Sequence, residues 1–422
     1  MNIKVRLTIL NFLEFAIWGA YLTSMSRYLK NAGLGDYIEY FYSVQGFVSL
    51  FMPALMGIVA DRWIQAQKTL SLCQFVAGIC MCAAAIYGSR AGVSADFGIL
   101  FGLYTLSVAF YMPTIALTNS VAYTVLEGAG MDAVKSFPPI RVWGTVGFII
   151  SMLLVDWSGL QDNSWQFAVS GVLSIVMSFY ALTMPACKTD RKKDAVSLAD
   201  ALGLRAFALF RQRNMAIFFI FSMLLGSALQ ITNGYASPFI NSFGANPAYA
   251  DTFGVTHTNT LISLSQISET LCILLIPFFL KRFGIKVVML MSMFAWVFRF
   301  GLFAIGDPGS PGVTLFILSM IVYGIAFDFF NISGSLFVEG ETDISIRSSA
   351  QGLFMMMTNG LGASIGMLLA GKVVKYYTHT EEIGGVKYIL GDWSACWFIF
   401  AAYALVVAVL FAIFFRYKHV RE

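Results

Sequence analysis

The sequence predicts an all-α polytopic membrane protein, with two halves of six transmembrane helices each. Three observations carry this reading. Apolar residues make up 58% of the 422 residues and charged residues only 12%, about half the charged share of an average soluble domain. The apolar residues gather into about twelve runs, each near the roughly 20 residues an α-helix needs to cross a hydrocarbon core. One long polar stretch, 185–213, divides those runs six and six.

The runs fall near 5–29, 38–60, 68–89, 96–121, 139–158 and 164–184, then 214–238, 257–280, 286–305, 312–338, 349–375 and 392–416. Helix is the expected state of each, because lipid offers no partner to an unpaired backbone group. The first run begins like a secretory signal, with Lys4 and Arg6 ahead of it. No small-x-small cleavage site follows, and Glu14, Trp18 and Tyr21 interrupt it, so it reads as a retained helix. The 39 Phe and 37 Gly suit lipid-facing surfaces and close helix packing.

The sixth run ends at the polar stretch. It holds the charge run Lys188–Asp194 and an amphipathic segment, Ser197–Phe210, expected as a short helix on the membrane surface. The domain reading is therefore an N-terminal half, 1–184, a cytoplasmic linker, 185–213, and a C-terminal half, 214–422. Orientation follows from Lys and Arg. With the N-terminus inside, 19 of the 27 basic residues fall in inner segments and 6 in outer ones, the others being Arg141 and Arg299 within spans. That positive-inside bias puts both termini in the cytoplasm.

A weak internal repeat links the halves. Pro53…Gly57-Ile-Val-Ala-Asp61-Arg62 follows the second run, and Pro277…Lys281-Arg282-Phe283-Gly284-Ile285-Lys286 follows the eighth. Two six-helix halves related in parallel resemble the major facilitator superfamily. Gly57…Asp61-Arg62 also resembles that superfamily's signature, although Trp63 and Lys68 depart from its usual continuation.

Several function classes are disfavoured. No G-x-x-x-x-G-K-[ST] loop is present to drive transport with ATP. His257, His379 and His419 are too scattered for a metal site, and no nucleophile-elbow or zinc-protease pattern occurs. No cofactor is implied. The net charge of +4 sits in short loops, as topological charge rather than a nucleic-acid surface. Cys73, Cys80, Cys82, Cys187, Cys272 and Cys396 read as free packing thiols.

An ionised group at the bilayer centre costs at least about 2.5–3.5 kcal/mol, so each one needs a reason. Glu269 lies one turn after Gln266, and the i, i+3 spacing puts both on one helix face. A buried hydrogen-bonded pair is the plain alternative, but a carboxylate costs more than a second amide would. Asp328 lies among aromatics in Tyr323-Gly-Ile-Ala-Phe327-Asp328-Phe329-Phe330-Asn331. Poor solvation suits it to carry a proton, whereas the alternative makes it a partner for Arg299. Asn11, Glu14, Trp18 and Tyr21 form a stripe that lines either a cavity or a helix contact. Gln230 and Asn233 are a second i, i+3 amide pair, suited to hydroxyls or a base edge, or to inter-helix glue. Arg141 follows Pro138-Pro139, placing it about a turn inside its span, where an ordinary cytoplasmic anchor is equally consistent. Thr145 and Phe148 continue its face.

Longer blocks carry a more specific resemblance. Phe137-Pro-Pro-Ile-Arg-Val-Trp-Gly-Thr145, Leu229-Gln-Ile-Thr-Asn233, Gln266-Ile-Ser-Glu-Thr270 and Phe327-Asp-Phe-Phe-Asn-Ile-Ser-Gly-Ser335 are similar to the bacterial nucleoside:proton symporter family. So are Ile217–Gly226, Phe51–Asp61 and Tyr417–Arg421, and the similarity runs end to end. The resemblance implies an inner-membrane importer of purine and pyrimidine nucleosides such as uridine, cytidine and adenosine, driven by protons; a monomer is the default expectation for this architecture. It implies a cavity between the halves that binds the nucleoside. Matching positions are Arg141, Thr145 and Phe148, then Gln230, Asn233, Gln266, Glu269, Tyr323 and Phe327, with Asp328 as the coupling acid. One departure stands out: the pattern leads us to expect an uncharged Gln where this chain has Glu14.

The expected cycle has Asp328, with Glu269 or Glu14, take up a proton before the nucleoside binds and the halves rock. Three rivals stand beside it. A sugar importer or drug exporter of the same fold would respond to sugars or drugs in competition with uridine, and the amide-rich face argues against an apolar drug. A non-transporting nucleoside sensor would bind without uptake. A membrane enzyme lacks its catalytic constellation.

Overall fold

Long apolar runs that cannot leave backbone groups unpaired in lipid fold as helices, and helix dominates the computed structural model. It describes residues 2–131, 133–187, 204–342 and 347–417. The first two stretches contain α1 (Ile3–Gly19), α2 (Met25–Asn31), α3 (Ile38–Ser49), α4 (Met52–Arg62), α5 (Ala66–Ala91), α6 (Phe97–Gly128), α7 (Ala133–Trp157) and α8 (Trp165–Leu182). The last two contain α9 (Arg213–Ser242), α10 (Thr258–Ile305), α11 (Val313–Glu341), α12 (Arg347–Met355), α13 (Ala363–Tyr377) and α14 (Trp393–Phe414). The chain divides into two compact units, Met1–Leu202 and Gly203–Glu422.

Among the described residues nine helices are long and apolar enough to cross a membrane, or ten when α3 and α4, bent by 40°, count as one. The remaining two of the expected twelve depend on how broken helices are read. At 48 residues α10 would extend about 72 Å if straight, more than twice the hydrocarbon thickness. Gly284, at φ 77° and ψ 167°, interrupts it near the middle. The first expected span corresponds to α1, only 17 residues long, followed by α2.

Local chemistry sets several helix ends. Asp96 accepts from the Ile99 amide at 3.0 Å and starts α6, and Asp392 accepts from the Ala395 amide at 2.9 Å and starts α14. Two helices outrun the sequence expectation: α6 continues through Pro113 to Gly128, and α9 through Pro238 to Ser242. The start of α7 also differs. Pro138 and Pro139 do not open it; the helix begins at Ala133 and the prolines lie inside. Arg141 is consequently deeper along its helix than the proline rule suggested.

In the first unit α1 packs on α7 and α5 on α8. The α5–α8 seam is a ladder of small and polar groups. Ser178 donates to the Ser71 carbonyl at 2.8 Å and Ser174 to the Gln74 carbonyl at 2.8 Å, and Gly78 faces Gly171. Small residues allow this approach, and the hydrogen bonds replace a hydrophobic drive that lipid does not supply. In the second unit α10 packs on α11 and α14, and α9 packs on the segment between α12 and α13. That segment, Met356–Gly362, is a π-helical turn. At Gly226 of α9 a Cβ would collide with the Thr358 backbone. The outward faces are apolar: Leu274 is 74% exposed and Phe298 63%, as a lipid-facing surface requires.

One element corrects the all-helical expectation. Residues 378–391 form an antiparallel hairpin of β1 (Thr378–Ile383) and β2 (Val386–Gly391), with Ile383 opposite Val386. The turn is Gly384-Gly385, both at positive φ, the composition a two-residue hairpin turn favours. All six cysteines are free thiols. The charge run Lys188–Asp194 and most of the amphipathic segment lie outside the described residues, as do the side chains of Asp61 and Arg62. The described end of that segment, Leu204–Arg211, is a short 3₁₀ helix with Ala206 and Leu209 buried.

Candidate functional site

In the first unit the polar stripe of α1 is drawn inward. Asn11, Glu14 and Tyr21 are buried, and Trp18 packs edge-on against Phe148 at 6.4 Å. The Glu14 carboxylate is fully buried and held by three neutral side chains on two other helices. Gln74 Nε2 of α5 donates to Oε2 at 3.0 Å, Thr118 Oγ1 of α6 donates to Oε2 at 3.0 Å, and Thr114 Oγ1 donates to Oε1 at 2.6 Å. Tyr111 Oη donates to the Glu14 carbonyl at 2.7 Å. Ser174 of α8 lies within hydrogen-bond reach of both the Gln74 carbonyl and its side-chain oxygen, and its one hydrogen serves one of them at a time. Sequence reasoning singled out Glu14 and missed this shell, because its members lie 60–104 positions away and each resembles an ordinary packing residue.

Arg141, Thr145 and Phe148 follow one face of α7. Arg141 and Thr145 are half-buried, and Phe148 is buried. The Arg141 guanidinium carbon lies 3.8 Å from the centroid of Phe15, the residue after Glu14. A cation over an aromatic face is attracted by the ring quadrupole, so Phe15 fixes where that charge sits. Gly144 leaves room for this contact, since a Cβ there would meet the Phe15 ring and Arg141 Nη1.

In the second unit the amide pair forms as the helical spacing requires: Asn233 Nδ2 donates to Gln230 Oε1 at 3.0 Å. Gln266 hydrogen-bonds the Tyr323 hydroxyl. Glu269, half-buried one turn further along α10, and Asp328, buried on α11, both lie within electrostatic reach of that hydroxyl and of the Cys272 thiol. Tyr323 stacks on Phe327 with centroids 5.9 Å apart and planes 9° from parallel, and Trp296 meets Tyr323 edge-on at 5.9 Å. Phe327 and Trp296 also line a small cleft with Asn331, Gly226 and Asn359.

Arg299, proposed from sequence as the alternative partner of Asp328, is occupied elsewhere. Its Nη1 donates to the Ser319 carbonyl at 2.8 Å, and its guanidinium lies over the rings of Tyr323 and Phe303. The sequence-predicted residues of the second unit therefore gather around Tyr323, on α10 and α11, with the Gln230–Asn233 pair on α9. Sequence reasoning missed Trp296, whose only signal was an aromatic within an apolar run.

The arrangement is chemically specific. It offers amides that both donate and accept, two carboxyls and stacked aromatic faces. Such a set can hold a neutral, hydroxyl-rich solute with a flat ring, which needs no fixed countercharge.

Comparison with known proteins agrees with this. The nucleoside H+ symporter family matches residues 1–420. The xanthosine permease of Escherichia coli K12 is 48% identical over 422 residues, spanning 99% of this chain and 97% of the relative. The nucleoside permease NupG of the same organism is 46% identical over 425 residues, spanning 100% of this chain and 98% of its own. The crystal structure of the nucleoside transporter NupG superposes with a TM-score of 0.88 at 46% identity, covering 99% of this chain and all of that one.

Proposed function

The chain belongs to the nucleoside H+ symporter family, and from that premise we propose which groups bind the nucleoside and the proton. Nucleosides enter with protons, and no chemical step is catalysed. Gln230, Asn233, Gln266 and Glu269 take the ribose hydroxyls and the polar edge of the base, with Tyr323 and Phe327 covering its face. In the first unit Arg141, Thr145 and Phe148 contribute on α7. Asp328, Glu269 and Glu14 carry protons. The observation that supports this most is the clustering of two carboxyls, an amide and a stacked aromatic pair around Tyr323.

The substrates are purine and pyrimidine nucleosides, uridine, cytidine and adenosine among them. The 48% identical xanthosine permease supports purine nucleosides. The protein lies in a bacterial inner membrane as a monomer, since one chain carries both helical halves. Both termini face the cytoplasm, as the 19 to 6 bias of basic residues supports.

Calorimetry on the purified protein tests the assignment. Uridine, adenosine and xanthosine are compared with ribose, free bases and glucose. Nucleosides should bind, with ribose and base alone at least about tenfold weaker, since each supplies only part of the polar contacts. Glucose binding at equal strength would overturn the reading. Asp328→Asn should keep binding and lose proton-driven accumulation.

A further inference from the structure

We propose that Glu14 is a proton-binding site of the first unit and that Thr114 is the hydroxyl that serves it in both protonation states. The inference rests on the reading of the chain as a proton-coupled symporter with Glu14 among its proton carriers, and deepens it by naming the groups that serve Glu14.

The argument is a count of hydrogens. Thr114 Oγ1 lies 2.6 Å from Glu14 Oε1 and 2.6 Å from the Tyr111 carbonyl oxygen. A hydroxyl carries one hydrogen, and a carbonyl and an ionised carboxylate can only accept. With Glu14 ionised, the Thr114 hydrogen serves one of them and leaves two oxygens at short range with none between. With Oε1 protonated every contact is filled. Glu14 donates to Thr114, and Thr114 donates to Tyr111. Gln74 Nε2, 3.0 Å from Thr114 Oγ1 and 3.0 Å from Glu14 Oε2, donates one hydrogen to each. Thr118 supplies the second hydrogen bond to Oε2.

Release calls on the same hydroxyl. When the proton leaves Oε1 for water, the O–H bond breaks and both electrons stay on the carboxylate. The Thr114 hydrogen then turns from Tyr111 to Oε1. The Tyr111 carbonyl keeps the amide of its own helix as a donor. The carboxylate is left with three donors, and the Thr114–Tyr111 oxygen contact, now without a hydrogen, lengthens.

The other titratable or charged groups around Glu14 are Arg141 on α7, Tyr111 on α6 and Cys73 on α5. The polar group that α8 adds is Ser174, through Gln74. Arg141 is the one fixed positive charge among them and balances the carboxylate after release. A purely structural glutamate would need no such interchange; a glutamine would accept from Gln74 and Thr118 and donate to Thr114 as the protonated acid does, but has no proton to release.

The test is infrared difference spectroscopy of the full-length protein in lipid nanodiscs, following the carbonyl stretch of protonated carboxyls as pH is changed. One titrating band should vanish in Glu14→Gln and persist in Asp328→Asn. Its midpoint should move by about one pH unit in Thr114→Val, the scale of one hydrogen bond, and return in Thr114→Ser. If Glu14→Gln failed to fold, the two Thr114 variants alone would decide. An unchanged band in Glu14→Gln, or wild-type titration in Thr114→Val, overturns the proposal. Because this readout uses no nucleoside, absence of nucleoside uptake by the wild type would overturn the symporter reading instead.

Discussion

The guanidinium carbon of Arg299 lies 4.7 Å from the centroid of the Tyr323 ring, and its Nη1 donates to the Ser319 carbonyl one turn earlier on the same helix. One buried cation thus braces the tyrosine at the centre of the polar cluster, from a position with no solvent exposure. Arg299 cannot reach a solute itself. It acts by holding Tyr323, and through Tyr323 the stacked Phe327.

Arg299→Met should weaken nucleoside binding. A desolvated cation–π contact is worth about 0.5–2 kcal/mol, so the dissociation constant should rise about 2- to 30-fold. Arg299→Lys should recover only part of this, because a point charge cannot both stack and hold the carbonyl fork. Titration calorimetry with uridine checks both variants. Unchanged affinity in Arg299→Met would remove Tyr323 bracing from the account.

Phe327→Ala removes the face assigned to the base. Stacking on an aromatic contributes about 1–3 kcal/mol, so affinity should fall about 5- to 150-fold, while Phe327→Tyr stays near wild type. The loss should be larger for adenosine than for ribose, which has no ring to stack. Competition against labelled uridine measures it.

Asn233→Ala leaves Gln230 Oε1 without the donor it has at 3.0 Å. One such hydrogen bond contributes about 0.5–1.5 kcal/mol. Some of that cost should appear as lost thermal stability and some as lost affinity. Asn233→Leu should lose more affinity than stability, since an apolar side chain packs but cannot serve a hydroxyl. Melting curves with and without nucleoside separate the two.

These residues were not equally legible in the sequence. Apolar runs of membrane length showed most helices, because burial in lipid is a constraint on composition. The pairs Gln230–Asn233 and Gln266–Glu269 were visible because helical spacing fixes them within one turn. Asp328 and Glu14 drew attention because a carboxyl in an apolar run is costly. Thr114, Thr118, Gln74 and Ser174 were not visible, since what makes them matter is the packing of three helices around one oxygen pair. The bracing role of Arg299 was hidden for the same reason: a carboxylate is the obvious partner for a cation, and the structure gives it a carbonyl and a ring. The hairpin after α13 falls between two apolar runs, where Gly384-Gly385 is its one turn signal.

Close helix approach gives a prediction on stability. A Cβ at Gly226 would meet the Thr358 backbone, whereas one at Gly301 would meet nothing within 4 Å. Alanine raises helix propensity by about 1 kcal/mol at either site. Backbone collision costs about 1–3 kcal/mol and should win at Gly226. Gly226→Ala should melt earlier than wild type, and Gly301→Ala at or slightly above it, in detergent-purified protein.

The most direct test of the whole account is uptake of labelled uridine into proteoliposomes holding the purified protein, with and without an inward proton gradient. The account predicts accumulation above the external concentration when the gradient is present, abolished by a protonophore and absent in Asp328→Asn. Equilibration that ignores the gradient, or full accumulation by Asp328→Asn, would contradict it.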